Sequence, residues 1–375
     1  MNEKVLTPLC IDELKKMVAT HDRVVPVGNQ TKAPLGSVSG CQMISLSNLS
    51  GMLEYEPSEF TFTAQAGSKV SDVEAELQER GQYLPFDPVL GNAGATLGGT
   101  IASGLSGPGR FRFGGIRDFC IGLHWMDGEG RRIRGGGKVV KNAAGFDFPK
   151  FMVGSLGRFG ILVDVTFKVF PRPFRSLTWC LTCSDSDSAM NAISEIASSR
   201  LEVDALDYRP ESQQVAVRLS GPSEVLPALA DELQHRWVGG ELWTAEQAQQ
   251  YWNQVTGLTW SGFEDPLIVK VPLGLSKFLR IEKELSKHDA FRVHLSVGGN
   301  LAWIAVDKVG HLKCLSDLLC AERLPGLIVL GALNQAEATE GSTQREAFKI
   351  GLWPSTQMEQ AVKKAMDPLA KFPGV

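Results

Sequence analysis

The chain has 375 residues, and because one domain usually takes roughly 100–200 residues, two domains are expected. Hydrophobic residues make up 43% and charged residues 21% of the sequence, which is the profile of a globular protein with enough apolar material for a core. The 38 basic and 42 acidic side chains leave a net charge of −4. Without a basic excess to neutralise phosphates, nucleic acid is not expected as a partner.

The sequence shows no sign of export or of membrane insertion. Its first residues, MNEKVLTPLC, are charged and lack the apolar region of a signal peptide, and no run approaches the roughly 18 apolar residues of a membrane span. Seven cysteines are few and odd in number, which is consistent with a reducing compartment. We therefore expect a cytoplasmic protein without a membrane span, which reaches the inner face of the membrane only through partners.

Apolar periodicity and turn residues predict the elements of the first half of the chain. In chain order they are a helix at 8–22, a strand that starts at 24 and ends in the loop GNQTK (28–32), a strand at 61–67, a helix that ends before Gly81, two strands within 119–135 and a strand at 161–171. The helix before Gly81 is predicted to begin at a capping box of Ser71 and Glu74. The last strand alternates in polarity, so it is expected to bury one face.

Pro171 and Pro173 follow that last strand and mark the clearest domain boundary. Beyond them glycine becomes less frequent, and new runs with strand and helix spacing predict a second α+β domain through about residue 333. The ending MEQAVKKAMDPLAKFPGV predicts a helix and an Asp-Pro turn. The predicted organisation is a first domain at 1–172, a second at 173–335 and a C-terminal segment at 336–375 that returns to the first domain. Seven of the eight tryptophans follow residue 178, and we expect them in the second core or at a subunit interface.

The stretch GATLGGTIASGLSGPGR, residues 94–110, contains six glycines among seventeen residues. Leu97, Ile101 and Leu105 recur every four residues within it, which predicts packing against an apolar layer. Three other glycine clusters occur in the same domain, in PVGNQTK, GGGKVVKN and GSLGRFG. Such loops present backbone amides to anions and let the chain approach a flat ring. They favour a long, dinucleotide-like ligand, with structural turns as the alternative.

Two common nucleotide motifs are excluded by context. GGGK at 135–138 is followed by valine and therefore lacks the Ser or Thr of a P-loop. GSLGRFG at 154–160 precedes a strand, whereas a Rossmann fingerprint follows a strand and opens a helix. Positive charge around the glycine-rich region nevertheless favours a small anionic ligand. The residues concerned are Arg110, Arg112, Arg117, Arg131, Arg132, Arg134, Lys138 and Lys141.

Three segments carry a resemblance to a known family: PVGNQTK (26–32), FDPVLGNAGATLGGTIASGLSGPGRFRFGGIRD (86–118) and GGGKVVKNAAGFDFPKFMVGSLGRFGILVDVTFKVFP (135–171). They resemble the FAD domain of the vanillyl-alcohol oxidase/p-cresol methylhydroxylase (PCMH) superfamily. Within it, the chain is most similar to the smaller FAD-binding subunits of bacterial glycolate oxidase complexes. The resemblance implies an α+β fold: a PCMH-type FAD-binding domain of two α+β subdomains, followed by an α+β cap domain.

The resemblance also implies cofactor contacts. The residues expected around the pyrophosphate are Gly28, Asn29, Gln30, Thr31 and Lys32. Those expected on a second phosphate-facing loop are Thr96, Gly98 and Gly99, and those along the ribityl chain and ring are Ser103, Gly104 and Gly109. Gly160 and Ile161 are expected against the flavin at the start of the last strand.

The sequence departs from the family pattern at two loops. Asn29 and Gln30 stand where the family tends to have glycines, and glutamine tolerates a positive φ poorly, so the first loop is expected to be altered. GSLGRFG carries Arg158, which implies a charged loop near the cofactor. The first loop has no His or Cys for a covalent flavin bond, while His124 and Cys120 fall within a predicted strand. We therefore expect noncovalent FAD.

Catalytic signals are weak. Oxidation of a 2-hydroxy acid requires a base, a cation for the carboxylate and a hydride acceptor. The one candidate base is His294, in HLSVGGN, which echoes a signature of related 2-hydroxy acid dehydrogenases but lacks its second His and its Asp. A histidine on an ordinary strand is the alternative interpretation.

No metal site is expected. Cys180 and Cys183 have CxxC spacing, but on a strand residues three apart point to opposite faces. Cys314 and Cys320 lie six apart on a predicted helix and do not share a face. If electrons leave through iron–sulfur clusters, another subunit holds them.

The resemblance leads to three hypotheses. The first is an FAD-binding subunit of a glycolate oxidase (dehydrogenase) complex that oxidises glycolate to glyoxylate, with a larger FAD-binding subunit and an iron–sulfur subunit as partners. The second is a self-sufficient FAD-dependent dehydrogenase of a 2-hydroxy acid such as D-lactate. The third is a noncatalytic assembly subunit that keeps the flavin fold.

Overall fold

The computed structural model describes residues 5–36, 40–137, 145–332, 348–353 and 357–374. Their contacts group the chain into two compact units. The first comprises Met1–Ser106, Gly114–Arg172 and Pro354–Val375, and the second comprises Gly107–Phe113 and Pro173–Trp353. The segments 107–113 and 348–353, which the sequence-based boundaries placed outside the second domain, thus group with the second unit.

The first unit contains a parallel strand pair, a five-stranded antiparallel sheet and a short second pair, in the orders β1-β2, β3-β4-β8-β6-β7 and β5-β9. Its strands are β1 (Val24–Val27), β2 (Gln42–Ser45), β3 (Met52–Glu56), β4 (Thr61–Gln65), β5 (Gln82–Tyr83), β6 (Cys120–Met126), β7 (Arg132–Gly136), β8 (Ile161–Lys168) and β9 (Phe170–Pro171). Its helices are α1 (Ile11–Thr20), α2 (Ala33–Gly36), α3 (Val70–Glu79), α4 (Leu97–Ser103), α6 (Phe148–Met152) and α12 (Gln357–Met366).

The β8 strand is buried on both faces, which corrects the prediction of one-sided burial. Its alternating residues Ile161, Val163 and Val165 are at most 2% exposed, but Asp164 and Thr166 between them are also buried. Burial of polar residues is tolerated here because they are paired: Thr166 Oγ1 bonds Thr63 Oγ1, and the Asp164 carboxylate accepts bonds from two side chains. The polar residues that alternate along β8 are therefore buried and hydrogen-bonded, and they do not face solvent.

The predicted capping box of α3 is wrong. The helix begins at Val70, with Lys69 as its N-cap and no side-chain cap, so Ser71 lies inside the first turn and bonds Asp72. Glu74 is instead largely buried. Burial raises its pKa to about 7, with the nearby Asp87 carboxylate adding to the rise.

Replacing Glu74 by glutamine is expected to stabilise the protein at pH 8 by about 1–3 kcal/mol and to have little effect near pH 5. The folded state binds the Glu74 proton more tightly than the unfolded chain, so the stability contributed by this group is lost as the pH rises from the ordinary pKa of 4.5 to about 7. Urea unfolding at the two pH values measures this change. Glu76→Gln, on the exposed side of the same helix, is the control, and an equal gain in both variants would contradict the assignment.

The second unit is built on an antiparallel sheet whose nine described strands lie in the order β13-β10-β12-β11-β15-β16-β14-β17-β18. The strands are β10 (Arg175–Thr182), β11 (Val203–Arg209), β12 (Gln214–Gly221), β13 (Gly240–Leu242), β14 (Leu267–Pro272), β15 (Phe291–Ser296), β16 (Leu301–Val306), β17 (Pro325–Leu330) and β18 (Lys349–Gly351). The helices are α5 (Arg110–Phe113), α7 (Ser186–Ala197), α8 (Leu226–Arg236), α9 (Ala245–Gly257), α10 (Leu275–Leu285) and α11 (Leu312–Ala321).

Helices lie on both faces of this sheet because alternate residues of β11 point to opposite sides. Tyr208 packs its ring against Phe278 of α10, whereas Ala205 contacts the aromatic residues of α9, Tyr251 and Trp252. Among the tryptophans, Trp179 and Trp303 are at most 1% exposed. These tryptophans therefore belong to the second core, as the packing interpretation predicted.

The cysteines do not form a metal site in the described part of the chain. None of the seven forms a disulfide bond, and no group of three or more His, Cys, Asp or Glu side chains in that part could hold a metal ion. Burial raises the pKa of the Cys180 thiol to about 12, so it is held protonated. None of the helices described is long and apolar enough to cross a membrane.

Candidate functional site: a glycine-lined cleft and a buried polar cluster

A cleft of about 380 Å³ opens in the first unit where β1, α4 and the loop before β8 meet. Five residues predicted from the sequence line it: Gly28, Thr96, Gly98, Gly99 and Gly160. Eight lining residues were not predicted: Pro26, Val27, Leu46, Ala66, Ala102, Ser155, Gly157 and Leu162. Glycine makes up most of the first group, and half of the second group is Gly, Ala or Ser. Ala66 and Gly157 lie in segments that the sequence analysis had already identified, so small residue size was the signal that could have found them.

The loop that follows β1 presents backbone amides without acceptors. None of the amides of residues 28–32 donates a hydrogen bond to another described residue. Gln30 adopts a φ of 53°, the left-handed conformation that was expected to be difficult for glutamine, and Asn29 is fixed by a bond from its Nδ2 to the Gly94 carbonyl at 3.3 Å. A run of free amides on a loop with left-handed backbone is an anion-binding arrangement.

Lys32 closes the same loop and is only 8% exposed. The sole hydrogen bond of its ammonium among the described residues is a long one, 3.4 Å, to Thr31 Oγ1. Burial without an anionic partner lowers the pKa of Lys32 to about 8. A buried cation of this kind is stabilised when an anion lies beside it, so Lys32 and the free amides indicate the same ligand chemistry.

The glycines of helix α4 line the cleft, but their backbone amides are not free to donate to a ligand. Thr96 caps the helix by accepting the Gly99 amide at 3.2 Å, and the Gly98 amide donates to the Ala66 carbonyl at 2.8 Å. Both glycine amides that were expected to face a phosphate are therefore engaged within the protein. Position 28 requires glycine because a Cβ there would overlap the hydroxyl of Thr96 that caps α4.

The remaining predicted contacts are not among the residues that line the cleft. Ser103 and Gly104 end α4 and are not in the cleft lining; Ser103 Oγ bonds the Thr100 carbonyl, and Gly104 is the left-handed C-cap. Ile161 is fully buried, while Leu162, one residue on, lines the cleft because successive strand residues face opposite sides. Gly109 lies in Gly107–Phe113, which groups with the second unit.

Gly160 allows β8 to start beside Trp125. Its φ is 144°, and a Cβ there would lie 2.6 Å from Trp125 Cδ1. The preceding loop turns Arg158 away from the cleft: Arg158 is 6% exposed, and its Nε donates to the Gly374 carbonyl at 2.7 Å. Arg158 is thus absent from the cleft lining and has a hydrogen-bond partner in the C-terminal segment, while Ser155, Gly157 and Gly160 of the same loop line the cleft. The charged loop near the cofactor stays a prediction.

Several of the clustered basic residues already have acidic partners. Arg131 pairs with Asp127 at 2.8 Å, and Arg132 pairs with Asp164 at 2.6 Å. In the second unit, Arg112 pairs with Glu202 and Asp204. Lys138 and Lys141 lie outside the described residues, as does the end of the GGGKVVKN motif. The anion-binding signal of the first unit therefore rests on residues 28–32.

The two residues considered for a covalent flavin bond lie in β6, as predicted. His124 Nδ1 is 2.6 Å from the Asp164 carboxylate. Cys120 is buried, and burial raises the pKa of its thiol to about 12. A protonated thiol is a poor nucleophile. Noncovalent binding therefore remains our expectation.

His294 lies in the core of the second unit with both ring nitrogens bonded. It is fully buried on β15, with Nε2 2.8 Å from Asp207 Oδ2 and Nδ1 3.3 Å from Arg209 Nε. Because a guanidinium only donates, Nδ1 must accept, and Nε2 carries the proton given to Asp207. Burial lowers the pKa of His294. A neutral ring without a free nitrogen fits the strand-histidine interpretation better than that of a catalytic base.

FAD fits the cleft of the first unit on its own chemistry. The pyrophosphate carries negative charge and would be held by the amides of residues 28–32 and by Lys32. The flat, apolar parts of the molecule require close backbone approach, which the glycines and alanines of the lining provide. Among the described residues that line the cleft, none has an acidic side chain that would oppose an anion.

Comparisons with known proteins show which family and fold the chain shares. Residues 4–136 match the family described as FAD binding domain. The chain is 33% identical over 240 residues to glycolate oxidase subunit GlcE of Escherichia coli, covering 64% of this chain and 68% of that one. It is 28% identical over 214 residues to glycolate oxidase subunit GlcD of Bacillus subtilis, covering 56% of this chain but 45% of that one. Alkyldihydroxyacetonephosphate synthase shares the fold, with a TM-score of 0.69 and 15% identity over 98% of this chain and 76% of that chain.

The fold and the cleft together define an FAD-binding flavoprotein with a PCMH-type domain, as the sequence predicted. Within that class, the chain belongs to the family of the glycolate oxidase subunit GlcE. Its relatives are FAD-linked oxidoreductases of 2-hydroxy acids, and it spans less than half the length of GlcD.

Proposed function

We propose that this chain is the FAD-binding subunit of a glycolate oxidase complex and takes part in the oxidation of glycolate to glyoxylate. The observation that carries the proposal is the loop 28–32, which begins at the cleft residue Gly28: its amides donate no hydrogen bond to a described residue, and its Lys32 is buried with a lowered pKa. The relative GlcE is a glycolate oxidase subunit. Bound FAD supplies the hydride acceptor for such chemistry. The proposed partners are a larger FAD-binding subunit and an iron–sulfur subunit, and the proposed binding is noncovalent.

A substrate carboxylate requires positive charge, and the second unit offers it at Lys270. This residue lies on β14, opposite Trp303 and Leu327 on the neighbouring strands. No hydrogen bond or ion pair of its ammonium occurs within the described residues. Burial, together with the positive charge of Arg110, lowers the pKa of Lys270 to about 8. Two cations for which the described residues provide no ion pair, within electrostatic range of each other, suit the carboxylate of a 2-hydroxy acid.

Replacing Lys270 by methionine is expected to lower kcat/KM for glycolate by about 10–100-fold in the assembled complex, because one charge-assisted contact is lost. The same variant should unfold at a higher temperature than the wild type at pH 7, since a buried cation without a partner has been removed. A dye-linked assay and thermal unfolding measure the two effects. Lys313→Met, on the surface of α11, is the matched control.

The alternatives are a self-sufficient 2-hydroxy acid dehydrogenase and a noncatalytic assembly subunit. The engagement of both His294 nitrogens disfavours the first. A dye-linked assay of the isolated chain with glycolate and D-lactate, compared with the chain plus its partners, separates the three: turnover by the chain alone supports the dehydrogenase. An FAD-deficient variant that assembles and keeps full complex activity supports the assembly subunit.

A further inference from the structure

A cluster of aromatic and charged side chains surrounds His294 inside the second unit. Tyr208 pairs with Leu295, which places Arg209 of β11 beside His294 of β15 on one face of the sheet. Helix α9 and the segment after it cover this face with two rings. The Tyr251 ring lies 6.1 Å and the Trp260 ring 5.4 Å from the imidazole.

Hydrogen bonds fix the position of the Arg209 guanidinium within this cluster. Its Nε donates to His294 Nδ1, and the other ring nitrogen of His294, Nε2, donates to the buried carboxylate of Asp207. Its Nη1 donates to Gln254 Oε1 at 3.1 Å, and its Cζ lies 4.1 Å above the centre of the Tyr251 ring. The third nitrogen, Nη2, is thereby held in place without a partner of its own.

Three buried donors in this cluster have no hydrogen-bond partner: Arg209 Nη2, Tyr251 Oη and Trp260 Nε1. They are three of the five such side-chain atoms in the described part of the chain. The guanidinium lies over the Tyr251 ring, and no hydrogen bond joins Arg209 Nη2 to the Tyr251 hydroxyl. Buried polar groups without partners are rare in native proteins, and three at one place indicate an absent acceptor.

The chemistry of the three groups defines that acceptor. A guanidinium and an indole only donate, and burial keeps the Tyr251 hydroxyl protonated by raising its pKa well above the ordinary value. A carboxylate accepts at two oxygens and brings no hydrogen that needs an acceptor, whereas a water brings two. We propose that Arg209, Tyr251 and Trp260 form a binding site for a small carboxylate anion in the second unit.

Formate and acetate are the probes for this site, added to the full chain without FAD. Both are expected to raise the melting temperature and to change the tryptophan fluorescence, because Trp260 donates to the ligand. Tyr251→Phe removes one donor and Trp260→Phe another, and each should weaken formate binding by about tenfold or more. Arg218→Lys is the matched control. Arg218 is on β12, the strand next to β11, and lies over the ring of Trp252 of α9.

The two phenylalanine variants also separate a carboxylate from a buried water. For the carboxylate site, Tyr251→Phe melts at or above the wild-type temperature in carboxylate-free buffer but responds weakly to formate. If wild type shows no response to formate or acetate, or if Tyr251→Phe and wild type respond equally, the proposal is overturned. Glycolate added in the same titration shows whether the natural 2-hydroxy acid shares the site.

Discussion

Replacing Lys32 by methionine is expected to weaken FAD binding by about 10–100-fold, because a buried cation beside the pyrophosphate makes a charge-assisted contact that methionine cannot make. Titration of the flavin-free chain, followed by flavin fluorescence, measures the change. Lys16→Met, exposed on α1, is the control and should bind FAD as the wild type does.

The same residue predicts a pH dependence. In the free protein the pKa of Lys32 is lowered to about 8, and a bound phosphate raises it again. Binding therefore takes up a proton above pH 8, so the affinity for FAD should fall as the pH rises from about 8 to 10. Lys32→Met should lose this dependence. An affinity that stays constant in the wild type, or falls equally in the variant, would contradict the role of Lys32.

Replacing Asp207 by alanine is expected to destabilise the protein by about 3–5 kcal/mol, because it leaves several buried donors without an acceptor. The carboxylate is fully buried and accepts from His294 Nε2, from Ser296 Oγ at 2.8 Å and from the Val297 amide at 3.3 Å. Val297 also has a φ of 57°, a strained conformation for a β-branched residue, which this bond helps to hold.

Urea unfolding of the full chain measures the effect of Asp207→Ala. Asp231→Ala, exposed on α8, is the control and should change the free energy of unfolding by about 0.5 kcal/mol or less. A loss in Asp207→Ala no larger than that of the control would contradict the account of the His294 cluster.

The order of the glycine motifs predicted the fold and the location of the cleft, because glycine spacing is local. Gly28, Gly98 and Gly160, which that signal marked, line the cleft. What the sequence could not show is which amides remain free after folding. The Gly98 amide bonds Ala66 across the chain, and this pairing depends on tertiary contact alone.

Long-range partners explain the other differences. The Nε of Arg158 donates to the carbonyl of Gly374, 216 residues away, and His294 is bonded to Asp207, 87 residues away. The motif HLSVGGN gave no information on either imidazole partner. Lys32 was expected at the pyrophosphate only through family resemblance, and its burial follows from the folding of the loop around it.

We propose that the first unit binds FAD at its cleft and holds the pyrophosphate with the loop 28–32. Equilibrium titration of the flavin-free full chain with FAD and, in parallel, with riboflavin tests it most directly. We expect one FAD to bind per chain without a covalent bond. Riboflavin lacks the pyrophosphate and should bind at least about tenfold more weakly. Failure of FAD to bind, or equal affinity for FAD and riboflavin, would contradict it.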